Sequence, residues 1–347
     1  MTKKYFECDY MEGAYPAIMN RLMETNMEKT TGYGFDPYCV SAREKIANIC
    51  GCPGAPVHFL VGGTQTNSLV LTTILRPFEG VVAVDTAHIN LHEAGAIEGR
   101  GHKVIALPGK DGKLQATDVE QYAANFYADD CYAHMVRPGA IYISHPTELG
   151  TLYTKKELED LRRVCDKYHM RFYLDGARLG YGLMANNTDV TLKTIAANCD
   201  VFYIGGTKVG ALFGEALVFP NASLADDIFT MIKHEGALLA KGRLLGIQFD
   251  TLFTDDLYFK ISKHAIDMAE LLKKGLKDIG CRIAYESPTN QQYIIVEDAN
   301  MEKISEKVAY SFWERYDETH TVIRLVTSWA TKEEDVLAAI DLLKEYV

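Results

Sequence analysis

The chain has 347 residues, 48% of them hydrophobic and 24% charged, the mix of an ordinary globular protein. Its 36 Lys and Arg against 47 Asp and Glu leave a formal charge of −11. That excludes a general nucleic-acid binder or an anionic-lipid binder, both of which need a basic face, and permits a small anionic ligand held by locally concentrated positive charge.

In chain order, helical spacing covers 14–30, with Ile18, Leu22 and Met23 on one face. The glycine- and aromatic-rich turn Gly32-Tyr33-Gly34-Phe35-Asp36 follows, then a helix over 41–49. From Val57 onward short apolar runs alternate with helical segments. Strands are expected at 57–61, 81–84, 103–107, 140–144, 172–174 and 201–204. Helices are expected at 64–75, 92–99, 117–127 and 155–168. Such alternation means an α/β fold with a mostly parallel sheet and helices on both faces. After about residue 237 the texture changes. Long helical patterns run to 278, followed by a strand at 293–296, a helix at 301–313, a strand at 322–326 and a helix at 332–346. A large domain over 1–250, with an amino-terminal arm, and a smaller α+β domain over 251–347 are expected. No apolar run approaches the roughly 18 residues of a membrane span, and the amino terminus lacks a signal peptide's apolar stretch. The eight cysteines are scattered. A cytoplasmic protein with reduced thiols is expected, and the lone Cys50/Cys52 pair is too little for a metal site.

Ligand sites in open α/β sheets lie beyond the carboxyl ends of the strands, and three clusters fall there. Val61-Gly62-Gly63-Thr64-Gln65 ends a strand and opens a helix, a geometry that suits phosphate or, equally, a tight turn with a capping threonine. Tyr173-Leu174-Asp175-Gly176-Ala177-Arg178 puts a carboxylate at the sheet's active edge, either beside a pyridine nitrogen or as a cap paired with Arg178. Gly205-Gly206-Thr207-Lys208-Val209-Gly210 puts a lysine among small residues, where a partly dry setting lowers its pKa and prepares a Schiff base; a plain surface-loop lysine is the alternative. Phosphate cradle, then Asp, then strand-end Lys is the order of parts in a pyridoxal-phosphate enzyme.

With Ala87-His88-Ile89, Glu93-Ala94-Gly95 and Ile323-Arg324-Leu325-Val326-Thr327, these motifs resemble the low-specificity L-threonine aldolases. Those are β-eliminating lyases of the aspartate-aminotransferase-like fold (fold type I), and the likeness runs from about residue 33 to 326. The resemblance implies pyridoxal 5′-phosphate as cofactor, with Lys208 carrying it as a Schiff base and Asp175 facing its ring nitrogen. It further implies Gly63, Thr64 and Thr207 at its phosphate, and His88 stacked on its ring. Arg178 and Arg324 are implied around the cofactor and substrate carboxylate. Tyr33 and Lys241 match groups supplied across a subunit interface, which implies a homodimer or homotetramer. His134 matches a second histidine acting on the substrate hydroxyl. The chain departs from the better-known members at Pro146-Thr147-Glu148-Leu149-Gly150, where Asn-Thr-His-Asn-Gly is usual, around Lys208, and at Cys8-Asp9. The implied activity is retro-aldol cleavage of a β-hydroxy-L-amino acid, threonine or allo-threonine, to glycine and an aldehyde. The alternatives are β-elimination or amino transfer on the same cofactor, and a non-enzymatic protein that keeps the fold. No metal, nucleic-acid or membrane partner is indicated.

Overall fold

A computed structural model describes residues 3–346. The strands, in chain order, are β1 (Lys4–Tyr5), β2 (Val57–Leu60), β3 (Glu79–Val84), β4 (Val104–Leu107), β5 (Arg137–Ser144), β6 (Arg171–Asp175), β7 (Val201–Gly205), β8 (Glu215–Val218), β9 (Arg282–Tyr285), β10 (Gln291–Glu297), β11 (Val308–Ala309), β12 (Ser311–Arg315) and β13 (His320–Val326). Seven of them form a central sheet in the order β2-β8-β7-β6-β5-β3-β4. β8 runs antiparallel to both its neighbours, and the other pairs are parallel. Val201–Ile204 and Ala216–Val218 are fully buried, which explains their unbroken apolar character: strands covered on both faces do not alternate. β8 was not expected from the sequence, because a four-residue apolar run gives too little period to classify.

The second sheet, β12-β13-β10-β9, is antiparallel. Its core joins Ile294, Ile323, Leu325, Val336 and Ile340 with Leu272 and Leu276. The helix Leu257–Asp278 belongs to both bodies. Its Tyr258, Ile261, Ala265 and Ile266 lie in the first core and its Leu272 and Leu276 in the second. The change of core falls within this helix, near 266–272. Phe6 also lies in the second core, and β1 pairs with β11, so the amino-terminal strand packs with the small domain.

Two expected helices differ. Residues 92–99 contain no regular helix, because Ala94 and Gly95 take positive φ (50° and 71°), outside helical backbone space. The helix expected at 301–313 runs instead from Asp298 to Lys307, and the chain then turns into β11 and β12. The β-favouring Val308, Tyr310, Phe312 and Trp313 win there. By contrast, the helix over Lys155–Tyr168 lies where expected. Thr154 and Glu157 close a capping box at its start.

The carboxyl ends of β6 and β7 approach so closely that only glycine fits between them. A Cβ on Gly176 would lie 2.0 Å from the Tyr203 carbonyl oxygen, and one on Gly205 would lie 2.3 Å from the Ala177 carbonyl oxygen. Gly176→Ala is expected to lower stability by roughly 1–3 kcal/mol, measured by urea denaturation. It should also weaken ligand binding, since these two strand ends carry Asp175 and Lys208.

Candidate active site

A cavity of about 320 Å³ opens at the carboxyl ends of the parallel strands. It is lined by Gly62, Gly63 and Thr64 on one side, His88 and Glu148 on another, and Asp175, Arg178, Thr207, Lys208 and Glu215 below. The three strand-end clusters therefore meet in one place. A larger cleft, about 940 Å³, lies at the opposite edge of the sheet around Arg137, Arg171 and Asp200. None of the residues singled out from the sequence lines it.

Asp175 is the centre of the network. Its Oδ2 accepts from Tyr142 (2.7 Å) and Asn67 Nδ2 (3.0 Å), and its Oδ1 from Tyr203 (2.5 Å) and the Ala177 N–H (3.0 Å). Burial works against its charge, but His88 and these donors outweigh it and hold the pKa below the ordinary value. It does not pair with Arg178. Asn67 also donates to Glu93 Oε1 (2.7 Å), which lies 2.8 Å from His88 Nδ1. A carboxylate accepts there, so Nδ1 carries a proton, and Nε2 is the ring nitrogen that Glu93 does not engage.

Lys208 is half-buried, and its desolvation, with Arg178 nearby, brings its amine down to about 8. Burial also pushes up the carboxyl of Glu215, which accepts from Thr207 Oγ1 (2.9 Å) and the Gly206 N–H (3.2 Å). The Thr207 hydroxyl is thus committed to Glu215. The phosphate-binding capacity of this side lies with the helix Gly63–Ile74, whose first turn has no side-chain cap. A Cβ on Gly62, at that helix start, would meet nothing within 4 Å.

Arg178 lines the cavity, but Asp9 takes two of its N–H groups, from Nε (2.8 Å) and Nη2 (3.0 Å). Asn290 also donates to Asp9 (2.9 Å). Arg324 bonds Gln291 (3.0 Å), lies over Trp313, and keeps a buried Nε without a partner. Among the described residues it has no carboxylate partner, and it is not among the residues that line the cavity.

Three expectations fall elsewhere. His134 is exposed, in a short turn before the amino end of β5. The eight residues of β5, at about 3.3 Å each, separate it from the cavity edge by roughly 25 Å, so His134 does not line this cavity. Tyr33 and Lys241 adjoin each other, with the Tyr33 N–H bonded to the Ala240 carbonyl (3.0 Å), but neither lines the cavity. They lie on a face where Met23, Met27, Phe35 and Leu244 are exposed. Asn67, Tyr142, Tyr203 and Glu215 join the site without any motif that marks a role for them in the sequence. Tyr142 and Tyr203 look like strand-core residues until β5 and β7 are set beside β6. His92, one turn after His88 with ring centroids 5.6 Å apart, was also missed.

The beta-eliminating lyase family model matches residues 6–307. The chain belongs to this family. A low-specificity L-threonine aldolase from a Pseudomonas species is 27% identical, over 95% of this chain and 94% of the relative. The Leishmania major threonine aldolase structure is 41% identical, with a TM-score of 0.95 over 99% of both chains. An aspartate aminotransferase from Thermus thermophilus shares the fold at 16% identity, with a TM-score of 0.72 over 99% of this chain and 92% of the other. The large sheet with its smaller antiparallel partner is the fold type I architecture of pyridoxal-phosphate enzymes.

The Asp9–Arg178 pair is buried and bidentate, and Arg178 and Lys208 hold the Asp9 carboxyl below its ordinary pKa against burial. Asp9→Asn should cost about 3–5 kcal/mol at neutral pH. A depressed pKa gives stability that is present above the ordinary carboxylate range and lost as pH falls through the folded value. The deficit of Asp9→Asn relative to wild type should therefore shrink in acid, as followed by denaturation from pH 7 to pH 3.

Proposed function

We propose that the protein is a pyridoxal-phosphate lyase that cleaves threonine or allo-threonine to glycine and acetaldehyde. One observation carries the reading: a half-buried lysine of lowered pKa, an ionised aspartate and an uncapped helix start line one small cavity. Such a cavity fits the cofactor's three distinct ends, an aldehyde, a pyridine nitrogen and a phosphate. The threonine aldolase relatives support the reaction, and the unassigned Nε of Arg324 supports a carboxylate-bearing substrate. When bound, the cofactor supplies an electron sink for the pair left by a breaking bond at Cα.

The residues divide the remaining work. Lys208, with its amine near 8, keeps a fraction of neutral nucleophile at physiological pH for joining the aldehyde carbon. Asp175, ionised and fixed by four donors, holds a proton on the pyridine nitrogen. The first N–H groups of the helix Gly63–Ile74 bind phosphate, with Thr64 beside them. Arg324 takes the substrate carboxylate, with the Arg178 N–H groups that Asp9 leaves unoccupied. His88 accepts the β-hydroxyl proton at Nε2, and Glu93 stabilises the imidazolium that forms. His88 lines the cavity and His134 does not, which supports His88 for this step.

The exposed apolar face supports a homodimer. Met27 is 87% exposed, Met23 75% and Phe35 60%, in one region with Tyr33 and Lys241, as expected of a covered surface. Subunit pairing there would bring Tyr33 and Lys241 to the partner's cavity. Eight free thiols fit a reducing, cytoplasmic setting. No helix among the described residues is long and apolar enough to cross a membrane.

The deciding assay is acetaldehyde release from L-threonine and L-allo-threonine by the pyridoxal-phosphate-loaded protein. Lys208→Ala should abolish release and the visible absorption of the Schiff base together. Pyruvate and ammonia from L-serine, without acetaldehyde from either threonine, would replace aldol cleavage by elimination. Sedimentation should show a dimer or tetramer, and Met27→Asp with Phe35→Asp should shift it toward monomer and weaken cofactor binding. A fully active monomer would refute the shared-site arrangement.

A further inference from the structure

Glu148 stands where the better-known relatives carry histidine, and the mechanism above does not use it. It lines the cavity, and its Oε1 receives the Ser144 hydroxyl (2.6 Å) and the His88 N–H (3.0 Å). Its Oε2 is buried and has no partner. Ser144 Oγ lies 3.2 Å from the Tyr142 hydroxyl, which lies 2.7 Å from Asp175 Oδ2. Glu148 and Asp175 are therefore the two ends of a chain of hydroxyl groups.

Counting hydrogens along the chain decides its charge. The single proton of Tyr142 points at Asp175, so the Tyr142 oxygen is left as an acceptor. If Glu148 is ionised, it draws the Ser144 proton. The Ser144 and Tyr142 oxygens then face each other with no hydrogen between them, and a buried carboxylate oxygen is left bare. If Glu148 is protonated at Oε1, its proton goes to Ser144, that of Ser144 to Tyr142, and that of Tyr142 to Asp175. Every contact in the chain then holds one hydrogen. The unpartnered Oε2 becomes a neutral carbonyl oxygen, much cheaper to bury than a charged one.

We propose that Glu148 is a positioning residue kept as a neutral acid, whose proton orients the Ser144–Tyr142 chain so that Asp175 is the anion beneath the cofactor ring. The inference rests on the reading of Asp175 as the partner of the pyridine nitrogen. Lys208 and Arg178, which line the same cavity, favour the ionised form, and further groups face Glu148. They are Asp175 on β6, Glu93 and His88 after β3, Tyr142 on β5, Tyr153 ahead of the helix Lys155–Tyr168, and Tyr293 on β10. Two of these are carboxylates. Burial raises the Glu148 pKa and Asp175 raises it further, while Ser144 and the backbone N–H groups of Glu148 and His88 pull it down without cancelling the rise.

The test compares Glu148→Gln with Glu148→Ala. Glutamine keeps a neutral donor to Ser144 but its amide nitrogen cannot also accept the His88 N–H, so cofactor affinity at neutral pH should fall only about threefold, while Glu148→Ala should lose about tenfold or more. Wild-type activity should fall at alkaline pH as Glu148 ionises, and Glu148→Gln should lack that limb. Ser144→Ala breaks the chain without touching Glu148. It should shift the pH dependence of the cofactor's absorption as Glu148→Ala does.

A readout free of activity is the infrared difference spectrum between cofactor-free wild type and Glu148→Gln at pH 7. It should show the carbonyl band of a protonated carboxyl group in wild type. A carboxylate band instead, or loss of activity in a folded, cofactor-loaded Glu148→Gln, would overturn the inference and make Glu148 a base. Failure of the wild type to bind pyridoxal phosphate would refute the underlying reading, a result distinct from either.

Discussion

A buried carboxylate is unstable unless its surroundings are built for it, and at Asp175 they are. Four donors converge on two oxygens. They come from β5 (Tyr142), β7 (Tyr203), the helix after β2 (Asn67) and the turn after β6 (Ala177). Each donor is usable only if its element sits in the correct register. The parallel pairing sets Tyr142 beside Tyr173 and Ser144 beside Asp175, so the sheet order and the polar network are two expressions of one constraint. The two glycines that let β6 and β7 close together serve the same end. Asp175 stays ionised because the fold delivers hydrogen to it from four directions.

Positive charge is arranged with equal economy. The chain is acidic overall, yet Lys208, Arg178 and Arg324 gather near one cavity. Arg178 is neutralised by Asp9, from an amino-terminal arm that packs with the small domain, and Asn290 of that domain also holds Asp9. That pair therefore ties the two bodies together at the cavity's edge. Arg324 reaches the same region from β13. Arg324 thus comes from the small domain, whereas Lys208, Asp175 and the helix start at Gly63 all belong to the large one.

Much of this was legible in the sequence. The parallel core announced itself by alternation, and the strand-end motifs announced the cavity, because chemistry-bearing residues after apolar runs have few structural reasons to be there. Lys208, Asp175, His88 and Gly63 meet as their motifs implied. What could not be read was pairing. Tyr142 and Tyr203 are indistinguishable from core aromatics until three strands are laid side by side. Asp9 and Arg178 are far apart in the chain, and no local pattern joins them. His134 was matched by resemblance alone, which does not show that it lies at the amino end of β5, away from the cavity. Glu215 was hidden because β8 itself was hidden, a short buried strand without a period.

The helix Leu257–Asp278 carries a consequence for how the molecule comes apart. Its first half completes one core and its second half the other, with no linker between. A helix cannot be melted in the middle without exposing apolar residues at both ends, so loss of packing in either core is felt through the same backbone. The two bodies thus share one cooperative unit and should unfold as one, unlike domains strung on a flexible tether.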